Sequence, residues 1–88
     1  MRALLTTKQF ERDVRRLYKK HCDLTKLAFI TETLREKGIA PVSTKPHKLH
    51  GEWGEHFECH VERDWLLIYR VDANFVYLYR TGSHDDLF

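Results

Sequence analysis

The sequence predicts an α+β fold in which two N-terminal helices pack on one face of an antiparallel β-sheet of about four strands. Apolar residues recur every three to four positions in the first 38 residues, as in amphipathic helices. After residue 51 the pattern changes to runs rich in β-branched and aromatic residues. The 88 residues have the length of one small domain, so we assign residues 1–88 to a single domain.

The N-terminal half predicts a short strand followed by the two helices. Residues 2–5 can form the strand, and Thr6 followed by Gln9 has the spacing of a capping box that begins the first helix. Asp23 has a side chain suited to cap the second helix. Gly38 is placed to end that helix, because glycine readily adopts the left-handed conformation found at helix C-termini.

Positive charge is concentrated in the front half of the chain. Residues 1–50 contain twelve Lys and Arg against five Asp and Glu, whereas residues 51–88 contain three against eight. The basic half can bind a polyanion or an acidic protein, or it can be a solvated helix face, and charge alone does not choose between them. The charges assigned to the first helix are Arg12, Arg15, Arg16, Lys19 and Lys20.

The chain carries no signal for a membrane or for export. No apolar run approaches the roughly 20 residues that a membrane span needs. The first five residues lack the apolar stretch of a signal peptide. We therefore expect a protein of the cytoplasm that has no contact with membranes.

The C-terminal half predicts a polar loop followed by an antiparallel meander. Pro41 and Pro46 exclude a helix in residues 39–51, which we interpret as a basic loop. The segment 65–69 is apolar on both faces, which predicts a central strand, and 72–74 is a short hairpin connection. The predicted strands are 57–62, 65–71 and 75–80.

Histidines dominate the residues that can carry chemistry. Five of the six lie in the C-terminal half or the loop before it: His47, His50, His56, His60 and His84. Imidazole exchanges protons near neutral pH. His60 and Asp64 flank a predicted turn, and an antiparallel sheet can return Arg80 and His84 close to that turn. Metal-free RNA cleavage needs a base, an acid and a cation, and these residue types supply all three.

Each of these residues also has a purely structural interpretation. Trp53, Trp65 and Phe88 can stack on bases, but Trp65 can equally belong to the core and Phe88 can dock the chain end. His56 and His60 would lie roughly 13 Å apart on a strand, too far to share a zinc ion. The two cysteines have no metal-binding spacing and are predicted core residues. We therefore expect neither a metal nor another cofactor.

Three segments closely resemble the YafQ-type toxins of the RelE superfamily. They are residues 47–53, beginning His-Lys-Leu-His-Gly, residues 59–70, containing His-Val-Glu-Arg-Asp-Trp-Leu-Leu-Ile-Tyr, and residues 80–88, Arg-Thr-Gly-Ser-His-Asp-Asp-Leu-Phe. They cover about half of the chain in motif detail, and the helical N-terminal half agrees in layout. Arg63 stands where the family commonly has proline, which changes the rigidity of the turn and adds a positive charge.

The resemblance implies a single RelE-like domain that is the toxin of a type II toxin–antitoxin system. Such toxins are endoribonucleases that cleave messenger RNA in the A site of the 70S ribosome, after attack by the 2′-hydroxyl. A cognate DinJ- or RelB-like antitoxin neutralises them, and operator DNA is contacted only through that antitoxin. A ribosome-independent RNase and an inactive RelE-like binding module are the alternatives.

The resemblance also implies roles for individual residues. Asp64 or His60 would be the general base and His84 the general acid, while Arg80 and His47 would stabilise the phosphate. The aromatic residues Trp65 and Phe88 would hold bases. The basic front half, together with Lys45 and Lys48, would dock on ribosomal RNA.

Overall fold

Five strands and three α-helices follow one another in the computed structural model, which describes residues 1–88. The longest helix has 14 residues, and no helix is both long and apolar enough to cross a membrane. The elements are β1 (Ala3–Thr6), α1 (Lys8–Lys19), α2 (Leu24–Lys37), β2 (His47–Lys48), β3 (Phe57–Glu62), β4 (Trp65–Val71), β5 (Phe75–Gly82) and α3 (His84–Leu87).

The strands form one sheet in the order β1-β5-β4-β3-β2. The pairs β2–β3, β3–β4 and β4–β5 are antiparallel, as predicted, whereas β1 runs parallel to β5. The fifth strand is β2, a two-residue strand within the predicted loop, and two short 3₁₀ turns occupy Val42–Thr44 and Gly51–Trp53. Strand β4 lies at the centre of the sheet, which confirms the prediction made from its apolar faces.

The helix ends follow local capping chemistry, with one shift from the predicted position. The Asp23 side chain accepts a hydrogen bond from the Thr25 amide, and Gly38 ends α2 at a φ of 77°, both as predicted. The first helix, however, is capped by Thr7, whose Oγ1 accepts from the Phe10 amide, and not by Thr6. Thr6 is the last residue of β1, so its backbone is already committed to the sheet.

The two faces of the sheet are covered very differently. The face toward α1 and α2 carries the main core, whose fully buried members include Leu34, Leu67 and Val76. The opposite face has a small apolar cluster of Leu66, Ile68 and Leu87. Since Leu87 belongs to α3, the last helix folds back over this second face, where Leu49, Trp53 and Tyr79 also pack against the cluster. Helices α1 and α2 leave this face uncovered, and we call it the open face.

We expect Leu67→Ala to lower the free energy of unfolding by about 2–5 kcal/mol, because it empties a fully buried position in the central strand. For a domain of this size each 1 kcal/mol corresponds to roughly 4–8 °C in Tm. The matched control is Leu4→Ala on the edge strand β1, where the side chain is 38% exposed. Thermal unfolding followed by circular dichroism measures both, and equal decreases in stability would contradict this account of the core.

Candidate functional site

The open face of the sheet carries the first group of candidate residues, around His47 and His60. Strand β2 pairs with β3 so that His47 lies opposite Glu58, and His60 follows two positions later on the same side of β3. The two imidazole rings are 6.4 Å apart between centroids. The short β2 pairing therefore brings a loop histidine beside a strand histidine, a contact that the sequence did not reveal.

Glu58 is a member of this site that sequence reasoning missed. Its side chain is only 10% exposed, and its Oε1 lies 3.4 Å from Nε2 of His47. The other ring nitrogen of His47, Nδ1, lies 3.1 Å from the carbonyl oxygen of Lys45, to which it must donate. The backbone thus holds the imidazole through Nδ1, and Nε2 faces a carboxylate with which it forms an ion pair only when the ring is protonated.

The second group lies on the C-terminal helix α3. Ser83 caps this helix, accepting from the Asp86 amide, while the Asp86 carboxylate accepts from the Ser83 amide in a capping box. The Asp64 Oδ1 accepts a 3.3 Å hydrogen bond from the backbone N–H of His84. The rings of His84 and Phe88 lie 5.1 Å apart. The predicted proximity of the β3–β4 turn and the chain end is therefore present, through the backbone of His84.

The two groups flank the same end of the sheet. His60 lies opposite Leu66 on β4, and Leu66 lies opposite Gly82 on β5, two residues before His84. Neighbouring strands are about 4.8 Å apart, which places His60 and Gly82 roughly 10 Å from each other. The sheet thereby presents one histidine pair and one terminal histidine across a shallow, open surface.

Arg80 is tied to the first helix by a buried carboxylate. Its Nε and Nη2 donate to Asp13, over 2.7 and 3.1 Å, and Asp13 is 1% exposed. This carboxylate raises the pKa of the Arg80 guanidinium above its ordinary value, through its hydrogen bonds to the side chain. The positive charge of Arg80 is therefore permanent but partly neutralised.

The same carboxylate connects to α3 through Arg16. One guanidinium nitrogen of Arg16 lies 3.2 Å from Asp13 and 3.5 Å from Asp86. Gly82 allows this approach, because a Cβ at that position would lie 3.0 Å from Arg16 and 3.1 Å from Asp86, and its φ of +154° disfavours other residues. The helix that carries His84 is therefore fastened to α1 as well as to the sheet.

The two aromatic residues expected to hold bases occupy different environments. Trp65 is 5% exposed, packs in the main core, and donates its Nε1–H to Thr81. Trp65 also borders the cleft under the β3–β4 turn, so both interpretations of this residue stay predictions. Phe88 is 53% exposed and open to a ligand. Lys45 and Lys48 are exposed on either side of His47.

A cleft of about 700 Å³ lies beside this site, under the β3–β4 turn. It is bordered by Asp64, Ser83 and Asp86, and also by three cationic side chains, those of Lys20, Lys26 and Arg63, but by none of the histidines. The cleft therefore adjoins the candidate site without containing its proton-transfer groups. His56 lies elsewhere again, packed edge-on against Trp53 and Tyr79.

Comparisons with known proteins agree with this geometry. The family model described as "Bacterial toxin of type II toxin-antitoxin system, YafQ" matches residues 2–88. The mRNA interferase toxin YafQ of Escherichia coli K12 is 36% identical over 81 residues, which cover 91% of this chain and 88% of that protein.

Solved structures show the same fold. The E. coli DinJ–YafQ toxin–antitoxin complex contains a chain that superposes with a TM-score of 0.90 at 34% identity, covering 99% of this chain and 97% of that one. A copper-bound L66S mutant toxin from Helicobacter pylori superposes with a TM-score of 0.92 at 34% identity, over the full length of both chains.

The capping box of α3 makes stability depend on pH in a defined direction. Hydrogen bonds from Ser83 hold the pKa of the Asp86 carboxyl below its ordinary value of 3.8. A lowered pKa in the folded state stabilises the fold above the unfolded-state value, and this contribution is lost as pH falls through the folded value. We expect wild type to exceed Asp86→Asn in Tm above about pH 4, with the difference shrinking at lower pH. Thermal unfolding from pH 7 to pH 2 measures this, and a difference that grows on acidification would contradict it.

Proposed function

The chain belongs to the YafQ family of toxins of bacterial type II toxin–antitoxin systems, and we propose that it is an endoribonuclease that cleaves messenger RNA. One observation carries the proposal. His60, with His47 beside it, and the strand end that leads to His84 lie at the same open end of the sheet. The E. coli relative is named an mRNA interferase toxin, which supports the same substrate.

The proposed reaction is an in-line displacement at phosphorus. The 2′-hydroxyl attacks the adjacent phosphorus, the base takes the hydroxyl proton, and the acid protonates the leaving 5′-oxygen. Base and acid act at opposite ends of the reacting O–P–O line, each through a hydrogen bond of about 2.8 Å, so they stand roughly 9 Å apart. The Cα atoms of His60 and of Gly82, two residues before His84, lie roughly 10 Å apart, so a base on β3 and an acid after β5 are near enough to act on one phosphate.

We assign the base to His60 and the acid to His84. Asp64 uses one carboxylate oxygen to hold the His84 backbone, which favours a positioning use for Asp64. We assign the balancing of the phosphorane's charge to His47, which faces Glu58, and to Arg80, which is bound to Asp13. These roles require no metal ion.

The proposal includes dependence on the ribosome. The site is open, and Phe88 is the one exposed aromatic side chain at it, so a free RNA gains little stacking energy there. Helix α1 instead presents a stripe of exposed cations at spacings of four, three and four residues, none of which forms an ion pair. This basic stripe consists of Lys8, Arg12, Arg15 and Lys19. With Lys45 and Lys48, it suits the phosphates of ribosomal RNA.

A cognate antitoxin is the second partner in the proposal. The E. coli relative has been solved in complex with DinJ, and we propose that a DinJ- or RelB-like protein neutralises this chain. Operator DNA would be reached only through that antitoxin. A toxin of this kind acts where ribosomes translate, which is the cytoplasm.

Purified protein incubated with naked messenger RNA and with programmed 70S ribosomes tests the proposal. Cleavage confined to ribosome-bound RNA, and unaffected by 1,10-phenanthroline, supports a ribosome-dependent, metal-independent toxin. Cleavage of naked RNA at the same rate would support a ribosome-independent RNase, and cleavage of neither would support an inactive binding module.

We expect His84→Ala to slow cleavage by about 10²–10⁴-fold, since it removes the proposed general acid. The ring is exposed, so its removal should leave Tm nearly unchanged. The control is His21→Asn, also at an exposed histidine, where asparagine tolerates the φ of 63°. Single-turnover cleavage on programmed ribosomes measures both, and a wild-type rate for His84→Ala would remove this residue from the mechanism.

We expect the double substitution Arg12→Gln/Arg15→Gln to weaken ribosome binding and to reduce its salt dependence. Each phosphate that the variant no longer neutralises should lower the slope of log K against log [salt] by roughly 0.7–0.9. Lys37→Gln, which removes an exposed charge from the end of α2, is the control. Sedimentation with 70S ribosomes across a salt series measures the slopes. Identical slopes for wild type and the double variant would exclude the basic stripe from the interface.

A further inference from the structure

Asp13 occupies a position where a small protein rarely places a charge. It lies on the inner face of α1 and is 1% exposed. Burial of a carboxylate costs several kcal/mol unless it is fully paired. Here the pairing is complete, because Asp13 accepts from Arg80 through Nε and Nη2, from the Thr81 amide at 3.1 Å, and from Arg16 at 3.2 Å. A pair of apolar residues would join helix and strand without that cost.

The arrangement fixes the plane of the Arg80 guanidinium. Two of its three nitrogens are bound to one carboxylate in a fork, whereas Nη1 makes no hydrogen bond and is reached by solvent. Arg80 also lies next to a bulge, since β5 pairs Arg80 with Ile68 but Leu78 with Tyr69, which leaves one extra residue between them. A free arginine side chain populates many rotamers, and this fork restricts them before any ligand binds.

We propose that Asp13 is a positioning residue for RNA cleavage, which holds Arg80 so that its free Nη1 meets the phosphate oxygens of the reacting nucleotide. The inference rests on the proposed function, because it needs a phosphate at the site. The pairing leaves Nη1 of Arg80 without a partner and fixes its position. A donor fixed in this way can stabilise the negative charge that develops on the phosphate in the transition state.

A purely electrostatic role for Asp13 and a positioning role predict opposite effects of Asp13→Asn on the rate of cleavage. Asp13→Asn removes a negative charge beside Arg80, so a purely electrostatic role would leave cleavage unchanged or make it faster. A positioning role makes cleavage slower, because a donor displaced by about 1 Å loses up to 10²-fold in rate. The side-chain volume is nearly unchanged, and asparagine can still accept one hydrogen bond.

The first experiment compares Asp13→Asn with wild type in single-turnover cleavage on programmed ribosomes. We expect the maximal rate to fall by about 10–100-fold and the concentration for half-maximal rate to stay within about twofold. Ile30→Ala is the matched control, because it lowers stability from a core position in α2 that does not contact Arg80. A wild-type rate for Asp13→Asn, or an equal fall for a control of equal Tm, would overturn the proposal.

The second experiment adds guanidinium ions at low millimolar concentration to Arg80→Ala, whose missing side chain leaves a space beside Asp13. We expect saturable recovery of cleavage in Arg80→Ala and none in Arg80→Ala/Asp13→Asn, with urea giving no recovery in either. Equal recovery in both would overturn the role of Asp13. Where Asp13→Asn fails to fold, Arg80→Ala alone still decides, because it retains the carboxylate and its bonds to Thr81 and Arg16. Recovery by guanidinium but not by urea would then support the proposal, and no recovery by guanidinium would overturn it.

Asp13→Asn, Arg80→Ala and the variant with both substitutions form a double-mutant cycle with the wild type. If Asp13 acts through Arg80, the double variant cleaves no more slowly than Arg80→Ala, whereas independent roles would multiply the two rate reductions. Absence of cleavage by the wild-type protein would overturn the proposed function itself and this inference with it. Active wild type with an Asp13→Asn variant that cleaves at the wild-type rate would overturn the inference alone.

Discussion

The buried carboxylate of Asp13 is the interaction on which the arrangement of the site depends. It joins helix α1 to the end of strand β5 and, through Arg16 and Asp86, to the terminal helix α3. The apolar core fixes how the helices lie on the sheet, but apolar contacts are not directional. Hydrogen bonds to one carboxylate are directional, and they set the angle at which β5 delivers Arg80 and the chain end.

The parts of the fold that were predictable are those set by local chemistry. The N-cap at Asp23 and the left-handed stop at Gly38 each depend on a few neighbouring residues, and the apolar faces of β4 placed it at the centre. Strand β2 and helix α3 escaped prediction because they have two and four residues. Elements so short have no periodicity to detect and exist only through contacts with distant parts of the chain.

The candidate site, like the fold, could be predicted only in part. Residue chemistry and the family motifs led to His60, Asp64 and His84, but not to their geometry. Glu58 was not predicted because its partner His47 lies on the short strand β2. The spacing of two residues between Glu58 and His60 did indicate that these two side chains share one face of β3. Trp65 looked equally suited to the core and to RNA, and only its burial argues for the core.

The proposed dependence on a ribosome agrees with how this site is built. His47 lies on the two-residue strand β2, His60 beside it on β3, and His84 on the four-residue helix α3, on an open face that neither encloses a substrate nor excludes water. Such a surface cannot by itself hold a flexible RNA in line for attack, because ordering the strand costs entropy that a few contacts do not offset. A ribosome holds its messenger already extended. On this proposal the toxin needs only a rigid set of donors, which the Asp13 network would supply, and a charged helix with which to dock.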